Sequence, residues 1–138
     1  MPPPSSPPPP HPGPVVPLRA LGKVILFVTQ MPRALAFYRD ALGLDVALDT
    51  PEWVELDTTG ATLALHAGVA PAPAGAPDPE GVPHVQVSFA VASVGAAHAA
   101  LSSRGVVFVH GPRPIAPGTF LARFRDPDGH SLAIAGPA

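Results

Sequence analysis

Residues 23 to 66 are echoed in the same order by residues 86 to 135, and this loose internal duplication restricts the possible folds more than any other feature. Lys23-Val24-Ile25-Leu26-Phe27-Val28 leads into a helical run that stops at Leu42-Gly43, and Gln86-Val87-Ser88-Phe89-Ala90-Val91 leads into one that stops at Arg104-Gly105. Each half then closes on a glycine and an alternating strand: Gly60-Ala61-Thr62-Leu63-Ala64-Leu65 in the first, Gly129-His130-Ser131-Leu132-Ala133-Ile134 in the second. Self-similarity at this length marks a duplicated supersecondary unit that cannot bury its apolar face alone. The halves must close on each other or on a second chain, and the space between them is the natural pocket.

Local patterning places the elements. Val24, Leu26 and Val28 alternate with Lys23, Ile25 and Phe27, a strand pattern. Pro32 sits where a first helical turn tolerates it, and Leu35, Tyr38 and Leu42 recur at helical spacing until Gly43. Strands over 44–49, 53–57 and 62–66 complete a β-α-β-β-β unit. A strand over 84–91, a helix from about 93 to 103 and strands over 106–109, 120–124 and 131–135 repeat it. Asp126-Pro127-Asp128-Gly129 is a turn between the last two strands.

Only one domain fits in 138 residues. Ten of the first seventeen residues are Pro, so residues 1–20 read as a disordered Pro-rich tail whose recruitment of a partner is the bolder reading. The domain spans 21–136: repeat one at 21–67, an Ala/Pro-rich linker at 68–83, and repeat two at 84–136. A net charge of -2 supplies neither a nucleic-acid stripe nor a polybasic membrane patch. With no Cys there is no thiolate chemistry and no Cys-based metal site. No apolar run approaches the roughly 20 residues that cross a bilayer. A cytoplasmic protein is expected, and the single Lys among seven Arg suggests a GC-rich bacterial genome.

The paired units, with Ala36-Phe37-Tyr38-Arg39-Asp40-Ala41-Leu42-Gly43-Leu44 after the first strand and Asp126-Pro127-Asp128-Gly129-His130 before the last, resemble the vicinal oxygen chelate superfamily. That group includes glyoxalase I, extradiol dioxygenases, fosfomycin-resistance transferases and bleomycin-binding resistance proteins. The resemblance covers about residues 21 to 136. It implies an α+β fold in which two tandem βαβββ units form a cupped mixed sheet, and a homodimer that completes its sheets across a two-fold axis. Family enzymes hold a divalent metal with His, Glu or Gln from four inward positions, which fall by strand alignment on Lys23, Ala64, Gln86 and Ala133. An ammonium has no lone pair for a cation, alanine has no donor, and one neutral amide does not make a site. The metal site is therefore expected to be lost, with no cofactor in its place. The alternative is a divalent metal relocated to His66, Glu55 and Gln86.

Side-chain parity separates the pocket face of each strand from the helix-packed face. With Val24, Leu26, Val54, Leu56, Leu63, Leu65, Val87, Phe89, Leu132 and Ile134 under the helices, the pocket face offers Lys23, Phe27, Trp53, Glu55, His66, Gln86, Ser88 and Arg123 as ligand-binding residues. Lys23 and Arg123 face one acid, Glu55. Either Glu55 bridges the cations as a structural plug or an anionic ligand does. Two functions follow. One is metal-free binding of a small organic molecule, anionic or aromatic, in a sequestering or resistance role. The other is a metal-dependent lyase, isomerase or dioxygenase with relocated ligands.

Overall fold

The computed structural model describes residue 18, residues 20–68, residue 83 and residues 85–138. The expected tail and linker lie almost wholly outside the described residues. The chain runs β1 (Lys23–Phe27), α1 (Met31–Leu35), a π-helical turn (Ala36–Ala41), β2 (Asp45–Asp49), β3 (Trp53–Asp57), β4 (Thr62–His66), β5 (Val87–Ala90), α2 (Val94–Ser103), β6 (Phe108–Ala116), β7 (Thr119–Arg125) and β8 (Ser131–Gly136). Two βαβββ units of an α+β fold thus follow each other. Each makes its own four-stranded mixed sheet, ordered β1-β4-β3-β2 in sheet A and β5-β8-β7-β6 in sheet B. The first and last strands of each unit pair in parallel, and the other pairs are antiparallel. A parallel pair needs a crossover, and the helix with the two intervening strands supplies it.

Three elements depart from the pattern read in the sequence. Strand β5 starts at Val87 rather than residue 84. Strand β6 continues to Ala116 through Gly111, Pro112 and Pro114, residues that read as loop. It is the edge of sheet B, where a missing Pro N–H costs no ladder bond, and three register shifts absorb the irregularity. The first helix is α-helical for five residues only, after which the Leu42 N–H reaches the Phe37 carbonyl at 2.9 Å. That spacing of five defines a π turn, which occurs mostly as a single widened turn. Helix α2 starts as its sequence suggests, with the Ser93 hydroxyl accepting from the Ala96 N–H at 3.1 Å, a cap worth about 1 kcal/mol.

The expected parity holds. Leu26, Val54, Leu56, Leu63, Leu65, Ala122, Phe124, Leu132 and Ile134 form one buried cluster with Met31, Ala34, Tyr38 and Val94, and Val24, Val87 and Phe89 pack at its margin. Burial of each large side chain stabilises the fold by roughly 1.5–3 kcal/mol. Because one face of each sheet enters this shared core, the other face of each sheet is turned away from it. The units meet at a polar corner beside the core. The Tyr38 hydroxyl donates to Asp126 Oδ2 at 2.6 Å, and Phe37 stands between Tyr38 and Phe124. The Thr29 N–H and hydroxyl donate to Asp128 Oδ1 at 3.1 and 2.6 Å, and Arg33 Nη2 lies 3.2 Å from the same oxygen.

Candidate functional site

The open face of sheet A is built in rows across β1, β4 and β3. In the top row Phe27 faces His66 and His66 faces Trp53. The ring centroids are 5.5 Å apart for Phe27–His66 and 5.4 Å for Trp53–His66, tilted at 38° and edge-on at 68°. Such geometries suit the ring quadrupoles better than face-to-face stacking. The next row is Ile25, Ala64 and Glu55, and Lys23 with Thr62 follows. Glu55 Oε2 accepts from the Trp53 indole N–H at 2.9 Å and lies 3.6 Å from Lys23 Nζ. The carboxylate thereby fixes the indole orientation and pairs the only lysine of the chain. Two large apolar side chains of this face stay open, Ile25 at 41% and Phe27 at 38% exposure.

The remaining expected site residues lie on the open face of sheet B. Gln86 Oε1 accepts a long hydrogen bond from the Ser131 hydroxyl at 3.4 Å, and Ser88 stands beside Ala133. Arg123 lies between Ala133 on β8 and His110 on β6, with 7% exposure. The structure thus brings Lys23, Phe27, Trp53, Glu55 and His66 together on one sheet and places Gln86, Ser88 and Arg123 on the other. Among the described residues the sheets share a core through their opposite faces, so these two sets stand on faces turned away from it. Of the expected residues only Ser88 borders either of two clefts. One, of about 560 Å³, runs between the units past Val24, Thr62 and Phe89. The other, of about 510 Å³, is walled by Phe37, Val106, Phe108 and Asp126. Sequence reading also passed over Arg113, because β6 was expected to end before it. Its register opposite Leu121 puts it on the same face as Arg123.

The donor set does not fit a divalent metal. Lys23 is engaged as a cation, and Ala64 and Ala133 are fully buried without a donor atom. His66 is flanked by two rings, and within one chain Gln86, just ahead of β5, belongs to the other unit from His66 and Glu55. Among the described residues no group of three or more His, Asp or Glu is gathered to hold one.

The most perturbed titrating groups belong to the corner between the units. Asp126 is nearly fully buried, its Oδ1 accepting from the Asp128 and His130 N–H groups and its Oδ2 from the Tyr38 hydroxyl and His130 Nδ1, both at 2.6 Å. Burial pushes this carboxyl upward, but the hydrogen bonds from His130 and Tyr38 outweigh it and hold it below the usual carboxylate range. His130 is raised by its hydrogen bond to Asp126, against a smaller opposing effect of burial. Tyr38 is pushed far up by burial first and by the Asp126 charge second.

A model of the Glyoxalase/Bleomycin resistance protein/Dioxygenase superfamily matches residues 20–134. The chain belongs to this superfamily. Solved structures of superfamily type share its fold. Lactoylglutathione lyase from Agrobacterium tumefaciens superposes with a TM-score of 0.67 at 22% identity, over 86% of this chain and 94% of that one. A glyoxalase/bleomycin resistance protein/dioxygenase from Nocardioides gives 0.69 at 22% identity, over 88% and 85%. A glyoxalase-related enzyme from Fulvimarina pelagi gives 0.67 at 20% identity, over 86% and 88%. No functionally curated protein matches the chain. At these identities the likeness establishes the superfamily fold, and one fold hosts many activities.

Proposed function

We propose that this superfamily member binds a small organic molecule without a metal, in a site that a second copy of the chain completes. The aromatic row of Phe27, His66 and Trp53 carries the reading. Three rings in one line, open on one side and backed by the Glu55–Trp53 hydrogen bond, form a platform for a planar ligand. The Lys23–Glu55 pair fills one of the positions where the superfamily resemblance implies a metal ligand. A homodimer follows from the outward-turned faces: sheet B of one copy covers sheet A of the other, and the two-fold axis repeats the contact. Gln86, Ser88 and Arg123 then close over the aromatic row, and the apolar surface at Ile25 and Phe27 leaves water. Sequestration of the bound molecule, in a cytoplasmic resistance role, needs no further machinery.

Trp53 is the only tryptophan, so its emission reports on the site directly. A panel of planar aromatic compounds, benzoate among them, should include members that change Trp53 emission saturably, and Phe27→Ala should weaken the best of them about tenfold, in line with 1–3 kcal/mol per stacked ring. Nickel, zinc, manganese and iron(II) should each fail to bind in stoichiometric amount. Tight metal that disappears in His66→Ala would replace this reading with a metal-dependent lyase, isomerase or dioxygenase using His66, Glu55 and Gln86.

A further inference from the structure

Strand β1 ends the order of sheet A and β5 that of sheet B, and both border the cleft of about 560 Å³ that runs between the units. Its lining is of two kinds. Val24, Leu63, Val87 and Phe89, which belong to the shared core or its margin, give it an apolar floor. Where β3 turns into β4, Asp57 and the hydroxyl-bearing Thr58, Thr59 and Thr62 give it a polar rim. Main-chain groups complete that rim. The Val91 N–H bonds the Ala135 carbonyl at 3.0 Å, so the odd-numbered residues of β5 turn their main chain to β8, and the carbonyls of Ser88 and Ala90 point out of the sheet edge. Both residues border the cleft.

The charge of this lining is one-sided. Asp57 is its only ionised side chain, and no Lys, Arg or His is among the described residues that border the cleft. Among the described residues the Asp57 carboxylate has neither an ion pair nor a hydrogen bond. The β2–β3 register sets it opposite Asp45, a like charge that an incoming cation offsets. The Thr58 hydroxyl donates to the Ala61 carbonyl, which leaves its lone pairs to accept. The rim thus offers acceptors: a carboxylate, hydroxyl oxygens and strand-edge carbonyls. A protonated primary amine is the matching group, with three donors and no acceptor, and its bond to a carboxylate is charge-assisted. An anion here would meet the Asp57 charge and no cation. An apolar floor with a few convergent polar groups is the usual make-up of a small-molecule site.

We infer that the cleft between β1 and β5 is a binding site for a primary alkylamine. The apolar stem lies on Val24, Leu63, Val87 and Phe89, and the ammonium is held by Asp57 and the oxygens of the rim. The site needs one chain only and does not rest on the aromatic row or on the proposed function.

The test is titration of the isotope-labelled full chain with hexylamine, hexanol and hexanoate at neutral pH, followed by nuclear magnetic resonance. The three probes share an apolar stem and differ in charge. Hexylamine should shift the methyl signals of Val24, Leu63 and Val87 saturably, hexanol more weakly, and hexanoate least. Asp57→Asn, at an exposed strand end, should weaken hexylamine about tenfold, the scale of one hydrogen bond to a charged group, and leave hexanol nearly unchanged. Ala90→Leu extends into the cleft from an exposed position and should weaken hexylamine and hexanol alike. Hexanoate binding as tightly as hexylamine, an undiminished hexylamine response in either variant, or no saturable shift of the three methyl sets overturns the inference. So do shifts confined to the Ile25 methyls and the Trp53 indole, which would put the amine on the open face of sheet A instead.

Discussion

Tyr38 shows how much of the assembly hangs on one side chain. It is fully buried, sits in the widened helical turn of the first unit, and donates its hydroxyl to a carboxylate of the second unit 88 residues away. Tyr38→Phe keeps the ring in the core but takes one donor from a buried charged acceptor. A loss of about 2 kcal/mol is expected, the usual scale for a hydrogen bond to a charged group, and denaturant unfolding measures it. Gly136 is the steric counterpart. A Cβ there would stand 2.2 Å from the Val91 carbonyl oxygen, a backbone atom that cannot swing aside. Gly136→Ala should cost about 3 kcal/mol or more, the upper range for overpacking, and a fall in melting temperature with retained far-ultraviolet dichroism would register it.

The Asp126–His130 turn makes stability depend on pH at the scale of an element. The carboxyl of Asp126 is held below its ordinary value of 3.8, so its contribution is present above that value and is lost as pH falls through the lower folded one. His130 is held above its ordinary 6.5, so its contribution is complete below 6.5 and is lost as pH rises through the higher folded value. Tyr38, raised above its ordinary 10.0, adds a further loss in strong alkali, where the unfolded phenol ionises first. The melting temperature should therefore be highest between about pH 4 and 6.5. His130→Asn should flatten the decline just above 6.5 and also weaken the acid limb, because the imidazole is one of the groups that hold Asp126 low. Much of this was legible beforehand: both units, six of the eight strands nearly to the residue, and the parity that sorts core from open face follow from alternation and turn chemistry. Other features were not. The π turn leaves no mark in composition, β6 is disguised by two prolines that only an edge strand admits, and the bond between Tyr38 and Asp126 joins two motifs whose proximity arises from packing alone. The candidate residues were readable one strand at a time, but their division between two sheets depends on which faces share the core.

At the scale of the molecule, the two open faces look for partners. Light scattering should give twice the chain mass of 14.0 kDa. Ile25→Asp, on an exposed strand position of sheet A, should shift the mass toward one chain while leaving the fold intact, since the side chain is outside the shared core. A wild-type mass of one chain would remove the partner that the proposed site needs.

Every ladder of sheet A closes within residues 23–66, and every ladder of sheet B within residues 87–136. A break in the backbone between those spans would sever no strand pairing among the described residues. The duplication is thus a seam as well as a symmetry: a chain supplied as two fragments, or rejoined end to end in the opposite order, would retain both sheets and find its register again through Thr29, Arg33 and Tyr38 closing on Asp126 and Asp128.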